Sequence, residues 1–429
     1  MLLSLFCIGD AVAKDAKFET GVSFGSTGAD EPYSSLTDKD GNYYISGTCR
    51  GDVEFAGGAT IKGRGGMDAV IVKYDAELNF LWARVVGGSK DDTFERIAVT
   101  SAGDIVAVGK ISGDVTIDGT DQTLSGTQST DGCIVVYDKD GNYKSSAQIK
   151  AAGASLCYSV AVDKSGNIFV TGSTVGATDF GNEKTVTIEG SSPGTFLACY
   201  NNSLVCQWAI AGSSPVQSYG WAVNFDKEEN ILLTGRFGTT FTITGTDGEA
   251  LTTAVGSESS QDTYVAKLSH EGVGQWITYV TNSNRIDTRS IDSDSQGNVY
   301  IWGHCQSAVT PEGQSPLGFN GNFDSFLIKY SSAGAYLDGM NLGGSGRDEA
   351  KSLFVDADDN IYVAGNVNGD GSKGGTAVNM NPRGESKDYT FKGHDGYVAK
   401  YNGSTWELMQ LEKTVTPDNA NQHEVAWCV

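Results

Sequence analysis

A ten-residue block recurs six times along this chain, and no other feature restricts the fold so strongly. Its copies are 38–47 (DKDGNYYISG), 100–109 (TSAGDIVAVG), 163–172 (DKSGNIFVTG), 226–235 (DKEENILLTG), 294–303 (DSQGNVYIWG) and 356–365 (DADDNIYVAG). The closing glycines, Gly47, Gly109, Gly172, Gly235, Gly303 and Gly365, lie 62, 63, 63, 68 and 62 residues apart. A second block follows each first one: 68–74 (DAVIVKY), then 131–137, 194–200, 262–268, 324–330 and 395–401. A tryptophan comes next in four copies, Trp82, Trp208, Trp276 and Trp406. Self-similarity at a fixed period means one supersecondary unit copied and stacked, since no single unit can bury its own apolar face.

Each copy reads as four short strands. The first is the apolar stretch before the first block, such as 96–99 (RIAV) or 159–162 (SVAV), and the second is that block, rich in Ile, Val and Tyr. The third strand is the second block, and the fourth carries the tryptophan. Between the first and second strands, Asp caps the turn, Gly takes the positive φ, and Asn folds back on the backbone. No helical-length stripe of 3.6-residue period occurs. Four-stranded units repeated radially make a β-propeller, which protects sheet edges by stacking blades. The expected fold is therefore all-β: a β-propeller of four-stranded blades with six full repeats of about 63 residues. Residues 18–24 align with a leading fourth strand and 423–429 with a trailing first strand, so a seventh blade built from both termini is favoured over six.

These blocks, with the Gly-Gly pairs Gly87-Gly88 and Gly343-Gly344, resemble the bacterial β-propeller repeat of SBBP type from about residue 18 to 411. The resemblance implies a propeller and secretion, and is nearly silent on activity. Two departures stand out: repeat four has Glu228-Glu229 where the turn glycine belongs, and repeat five lacks the fourth-strand tryptophan.

Export is also expected from the first residues. Residues 1–8 (MLLSLFCI) are apolar and Ala11-Val12-Ala13 is a small-residue cleavage pattern, which makes 1–13 a signal-peptide remnant and 14–429 a single propeller domain. The location so implied is periplasmic, cell-surface or extracellular. No later segment is apolar and long enough to insert in a membrane. The net charge is −23, with no Lys/Arg cluster, which argues against nucleic-acid partners. Eight cysteines include no C-x-x-C. Cys199 and Cys206 flank a short turn and could form a disulfide across a hairpin, although small buried hydrophobes remain the more general role for cysteine.

Enzyme motifs are missing: the four histidines are isolated, with no H-E-x-x-H pair, and no P-loop is present. Recognition is therefore sought on the face formed by the connections between strands two and three and between one repeat and the next. The stretches 239–261 and 366–394 are the longest of the former, and length variation on a rigid scaffold is where recognition concentrates. In the inter-repeat loops, Asp30, Glu31, Asp92, Asp348 and Glu349 stand just before first strands, with Arg347 beside one pair and Arg285 and Asp287 in the matching loop of repeat five. Such a set could bind a cation or a polyhydroxylated ligand, or cap the turns. No cofactor is required; calcium is conceivable at the Asp-rich turns 38–42 and 138–142, although an EF-hand Glu is absent. The expected role is an exported binding or scaffold module for a glycan or a protein. The rival is a carbohydrate-active enzyme, glycosidase or lyase, using channel-mouth carboxylates such as Asp92 and Asp348.

Overall fold

The computed structural model describes residues 25–413, apart from 27, 56–57, 255–260, 369–375 and 392–393. The signal remnant and the two terminal strands proposed for a seventh blade lie outside the described residues. Those described form strands and turns without a helix.

The blocks and their flanking stretches form antiparallel strands; repeats five and six each make a four-stranded sheet, while repeats one and two join in a larger one. In repeat one the strands are Asp30–Thr37, Tyr43–Cys49, Asp68–Tyr74 and Phe80–Gly88, paired in order and antiparallel. In repeat six they are Arg347–Val355, Ile361–Asn368, His394–Tyr401 and Leu408–Lys413. The second and third strands are almost wholly buried, as in Ile168–Thr174 and Gly194–Tyr200, which explains their unbroken apolar runs. The described residues divide into two compact units: unit 1 holds 25–213 and 218–223, and unit 2 holds 214–217 and 224–413.

The turn aspartate has the role its position suggests. Asp38 Oδ1 accepts from the backbone N–H of Asp40 and of Asn42, both at 2.9 Å, while Asn42 Nδ2 donates to Asp38 Oδ2 at 2.8 Å. Asp163, Asp226, Asp294 and Asp356 each accept from the Asn four residues on in the same way. In unit 2 the third-strand lysine closes the motif, with Lys267 2.6 Å from Asp226 and Lys329 3.0 Å from Asp294. These carboxylates are held by their own turns, and among the described residues no three metal-ligating side chains converge. Repeat four, which lacks the glycine, still adopts the left-handed conformation, with Glu229 at φ 61°.

Within each unit, fourth-strand tryptophans fasten one repeat to the next. Trp82 Nε1 donates to the Lys139 carbonyl of repeat two at 3.2 Å, and Lys73 Nζ donates to the same oxygen at 2.8 Å. In unit 2, Trp276 Nε1 and Lys267 Nζ converge likewise on the Ser332 carbonyl of repeat five, at 3.0 and 3.4 Å. Each indole lies on a turn glycine: a Cβ at Gly141 or Gly334 would meet the ring at 2.8 or 2.7 Å.

Cys199 and Cys206 form no disulfide with each other and are the small buried side chains favoured for the cysteines. All six described cysteines are free and buried. Cys206 stands opposite Tyr200 in the hairpin, whereas Cys199 stands opposite Trp208, and a one-residue offset sends side chains to opposite faces of a sheet.

Candidate functional site

The first strands of neighbouring repeats lie side by side within each unit. A serine recurs on them as a cross-tie: Ser34 Oγ accepts from Ile97 N at 3.5 Å, Ser159 Oγ from Val223 N at 3.2 Å, and Ser290 Oγ donates to the Leu353 carbonyl at 3.3 Å. Just before Ser34, Arg96, Ser159, Ser290 and Ser352, the pairing register shifts in repeats one, two, three, five and six, the mark of a bulge. The residue opposite the closing glycine of the second strand fixes a common register: Pro32, Phe94, Cys157, Thr288 and Ala350.

Two positions before that residue, the chain carries Asp30, Asp92, Ser155, Ser218, Ile286 and Asp348, and five of the six bind backbone. Asp30 accepts from Ser26 N at 2.7 Å, and Asp92 from Gly88 N at 3.1 Å and Ser112 N at 2.7 Å. Ser155 accepts from Gly132 N and Ser218 from Thr195 N, both at 2.9 Å, and Asp348 accepts from Gly344 N at 2.6 Å. Asp92 and Asp348 are buried, at 0% and 1% exposed, so they present nothing to a ligand. Burial pushes both carboxyls up to about 7, against the pull of their backbone donors and with help from Asp68 and Asp324 respectively.

One position later the register brings together Glu31, Thr93, Leu156, Tyr219, Asp287 and Glu349. Asp287 is thus the counterpart of Glu31 and Glu349, one residue out of step with Asp92 and Asp348. The bulge residues two further on are Tyr33, Glu95, Tyr158, Trp221, Arg289 and Lys351, and they touch this second set. Tyr33 donates to Glu31 at 2.5 Å, and Thr93 donates to Glu95 at 3.0 Å. Tyr219 and Trp221 stack with ring centroids 5.6 Å apart, and Tyr158 reaches Trp221 at 4.4 Å. All three rings are half-buried. Unit 1 therefore displays acids and aromatic rings at these positions.

In unit 2 the same positions are ionic. Asp287, fully buried, receives Arg236 Nη1 at 3.1 Å and Arg285 Nε at 2.7 Å, with Arg289 3.9 Å and His304 3.7 Å away. Burial works to raise its carboxyl, but Arg289, His304, Arg236 and Arg285 together outweigh it and hold it below the usual range. Glu349 takes Arg347 Nε at 2.6 Å and Lys351 Nζ at 2.9 Å; burial opposes its ionisation, yet these neighbours and His304 hold it down to about 2. Burial takes His304 down to about 3, which leaves it neutral.

The long connections between second and third strands act largely as ties. Val115–Ile117 of repeat two pair with Val86–Gly88 of repeat one, Thr178–Asp179 of repeat three with Lys150–Ala151 of repeat two, and Thr310–Pro311 of repeat five with Val280–Thr281 of repeat four. In the 239–261 stretch, Thr246 N donates to the Gly272 carbonyl at 3.1 Å. In 366–394, Arg383 donates to the Gly339 carbonyl at 2.6 Å and Asn381 Oδ1 accepts from Leu408 N at 2.8 Å. A groove of about 690 Å³ beside Trp82 is lined by Lys62, Arg64, Arg84 and Asp118, and Arg64 is already engaged by Asp118 and Thr116.

The family model described as a beta-propeller repeat (SBBP) matches residues 146–181. The match spans the end of repeat two and the start of repeat three, in agreement with the resemblance carried by the blocks. An uncharacterized WD repeat-containing protein of Acanthamoeba polyphaga mimivirus is 22% identical over 435 residues, covering 82% of this chain and 31% of that protein. The chain thus spans under a third of the length of that relative. A protein of unknown function from Bacteroides caccae, of known structure, is similar at 12% identity over 65% of this chain and 92% of its own, with a TM-score of 0.26, too low to carry an argument. The chain is an all-β protein that contains a β-propeller repeat.

Proposed function

We propose that the chain is a β-propeller binding module of four-stranded blades, six of them complete and a seventh shared by the termini, that recognises a glycan through the first-strand face. One observation carries this reading: Tyr158, Tyr219 and Trp221 gather three half-buried rings at the positions where the repeat is chemically least uniform. Aromatic faces offer apolar area with a polar tip at low entropic cost, which suits a polyhydroxylated ring. Glu31, exposed, and Glu95, half-buried, add acceptors for hydroxyl groups in the same unit. The burial of Asp92 and Asp348 weighs against the rival enzyme reading, because a general acid must reach its substrate. Export to the periplasm, cell surface or medium belongs to this proposal. The test is binding of the purified chain to a broad glycan array with and without calcium. Saturable binding to one glycan class supports the reading, and silence across the array overturns it in favour of a protein partner.

A further inference from the structure

The unit 2 face carries a duplication that its counterparts in unit 1 lack. Arg285-x-Asp287-x-Arg289 and Arg347-x-Glu349-x-Lys351 occupy the same register positions in repeats five and six, on adjacent first strands tied by the Ser290–Leu353 hydrogen bond. Each triplet sets two cations around one carboxylate. The outer arginines share further geometry. Arg285 and Arg347 each form an isolated parallel bridge, with Gln261 and Phe323. Each spends Nε and Nη2 on a single carboxylate, Asp287 or Glu349. Their side chains remain 42% and 50% exposed, and Arg347 also lies 4.5 Å over the Phe323 ring. Aligned with these triplets in unit 1 are Ala29-Glu31-Tyr33, Asp91-Thr93-Glu95 and Ala154-Leu156-Tyr158, none of which holds a cation.

Arg285 and Arg347 keep half-exposed guanidinium groups at matching positions, in a chain whose overall charge is −23. Arginine presents a planar fork that matches an oxyanion, and a guanidinium fixed at one edge by a carboxylate and at one face by a ring keeps its remaining donors oriented. The chain's own negative field repels anions at long range, so only a ligand that meets both triplets at close quarters gains from them.

We propose that the paired triplets form an oxyanion site that selects an acidic glycan, one bearing carboxylate or sulfate groups on successive residues. This rests on the glycan reading above and names its ligand class. The test is calorimetric titration of the full chain, at fixed ionic strength, with three oligosaccharides of matched length: a neutral glucan, a polygalacturonate and a sulfated heparin fragment. The expected result is at least tenfold tighter binding of one acidic oligomer than of the glucan, and loss of that margin in Arg285→Gln/Arg347→Gln. The preferred acidic oligomer identifies the source of the oxyanion. Should the double variant fail to fold, Arg347→Gln alone, at the more exposed position, is expected to lose a large part of the margin, and Arg347→Lys to recover little of it. Equal binding of acidic and neutral oligomers, or an acidic preference that survives the substitutions, overturns the inference while leaving the glycan reading in place. Binding of none of the three overturns the inference, and the broad glycan array then decides the glycan reading.

Discussion

The first strands of repeats one to four and those of repeats five and six use one framework to display opposite chemistry. Both groups have the capping carboxyl, at Asp92 in one and Asp348 in the other, and both have the serine cross-tie, at Ser34 and at Ser290. Between cap and tie, unit 1 places Glu31, Tyr33, Glu95, Tyr158, Tyr219 and Trp221, and unit 2 places Asp287, Arg289, Glu349 and Lys351. Duplication keeps what folding requires. Divergence is tolerated only where a side chain leaves the pairing and packing undisturbed, and the bulge creates such positions.

The contrast is sharpest at the carboxylates. Asp287 is buried among several cations, so Asp287→Ala leaves uncompensated charge and is expected to cost about 3–5 kcal/mol. Its counterpart Glu31 is exposed, and Glu31→Ala is expected to stay within about 0.5 kcal/mol. Urea denaturation measures both, and equal losses would erase the distinction between the two faces. Next in size is Trp221→Ala, expected to cost about 1–3 kcal/mol through lost ring packing and to abolish glycan binding. A variant that keeps its full binding would move recognition elsewhere.

Adjacent residues of unit 2 should show opposite pH dependence. Asp348 rises to about 7 in the folded chain from an ordinary 3.8, so its contribution to stability is complete below about 3.8 and is lost as pH rises toward 7. Glu349 falls to about 2 from 4.5, so its contribution is present above about 4.5 and is lost as pH falls toward 2. Asp348→Asn should flatten the stability profile in the first window, and Glu349→Gln in the second. Denaturation midpoints across pH 2–8 check both signs, and identical profiles for the two variants would contradict the assignment of cap and surface. The smallest effect belongs to the framework. Leu78 holds φ 63° where the corresponding turns have Gly141, Gly272 and Gly334, so Leu78→Gly is expected to gain about 0.5–1 kcal/mol in thermal or chemical denaturation.

Most of the framework was legible in the sequence, because the turn Asp, Gly and Asn and the third-strand Lys-Tyr recur as letters. The face was less so. Asp92, Asp287 and Asp348 look equivalent by eye, yet strand pairing places Asp287 one residue out of step, and one residue reverses the side of a strand. Ser155 and Ser218 perform the cap without an acid, so no carboxylate pattern could reveal them. Trp221 is off the tryptophan register and carried little weight as a letter, but the bulge turns it onto Tyr158 and Tyr219. The stretches 239–261 and 366–394 point to recognition by their length alone. The pairing of such connections with the preceding repeat's fourth strand, as at Val115–Ile117 and Thr178–Asp179, is a long-range contact that no local pattern encodes.

The most direct test of the account is the glycan array repeated on two variants beside the unmodified chain. Tyr158→Ala/Trp221→Ala alters the first-strand face, and Asp247→Ala/Glu249→Ala alters the tip of the longest described stretch in repeat four's connection. The account predicts that the face variant, still folded by circular dichroism, loses the bound glycan class and that the tip variant keeps it. Loss in the tip variant with retention in the face variant would contradict it and return recognition to the loops.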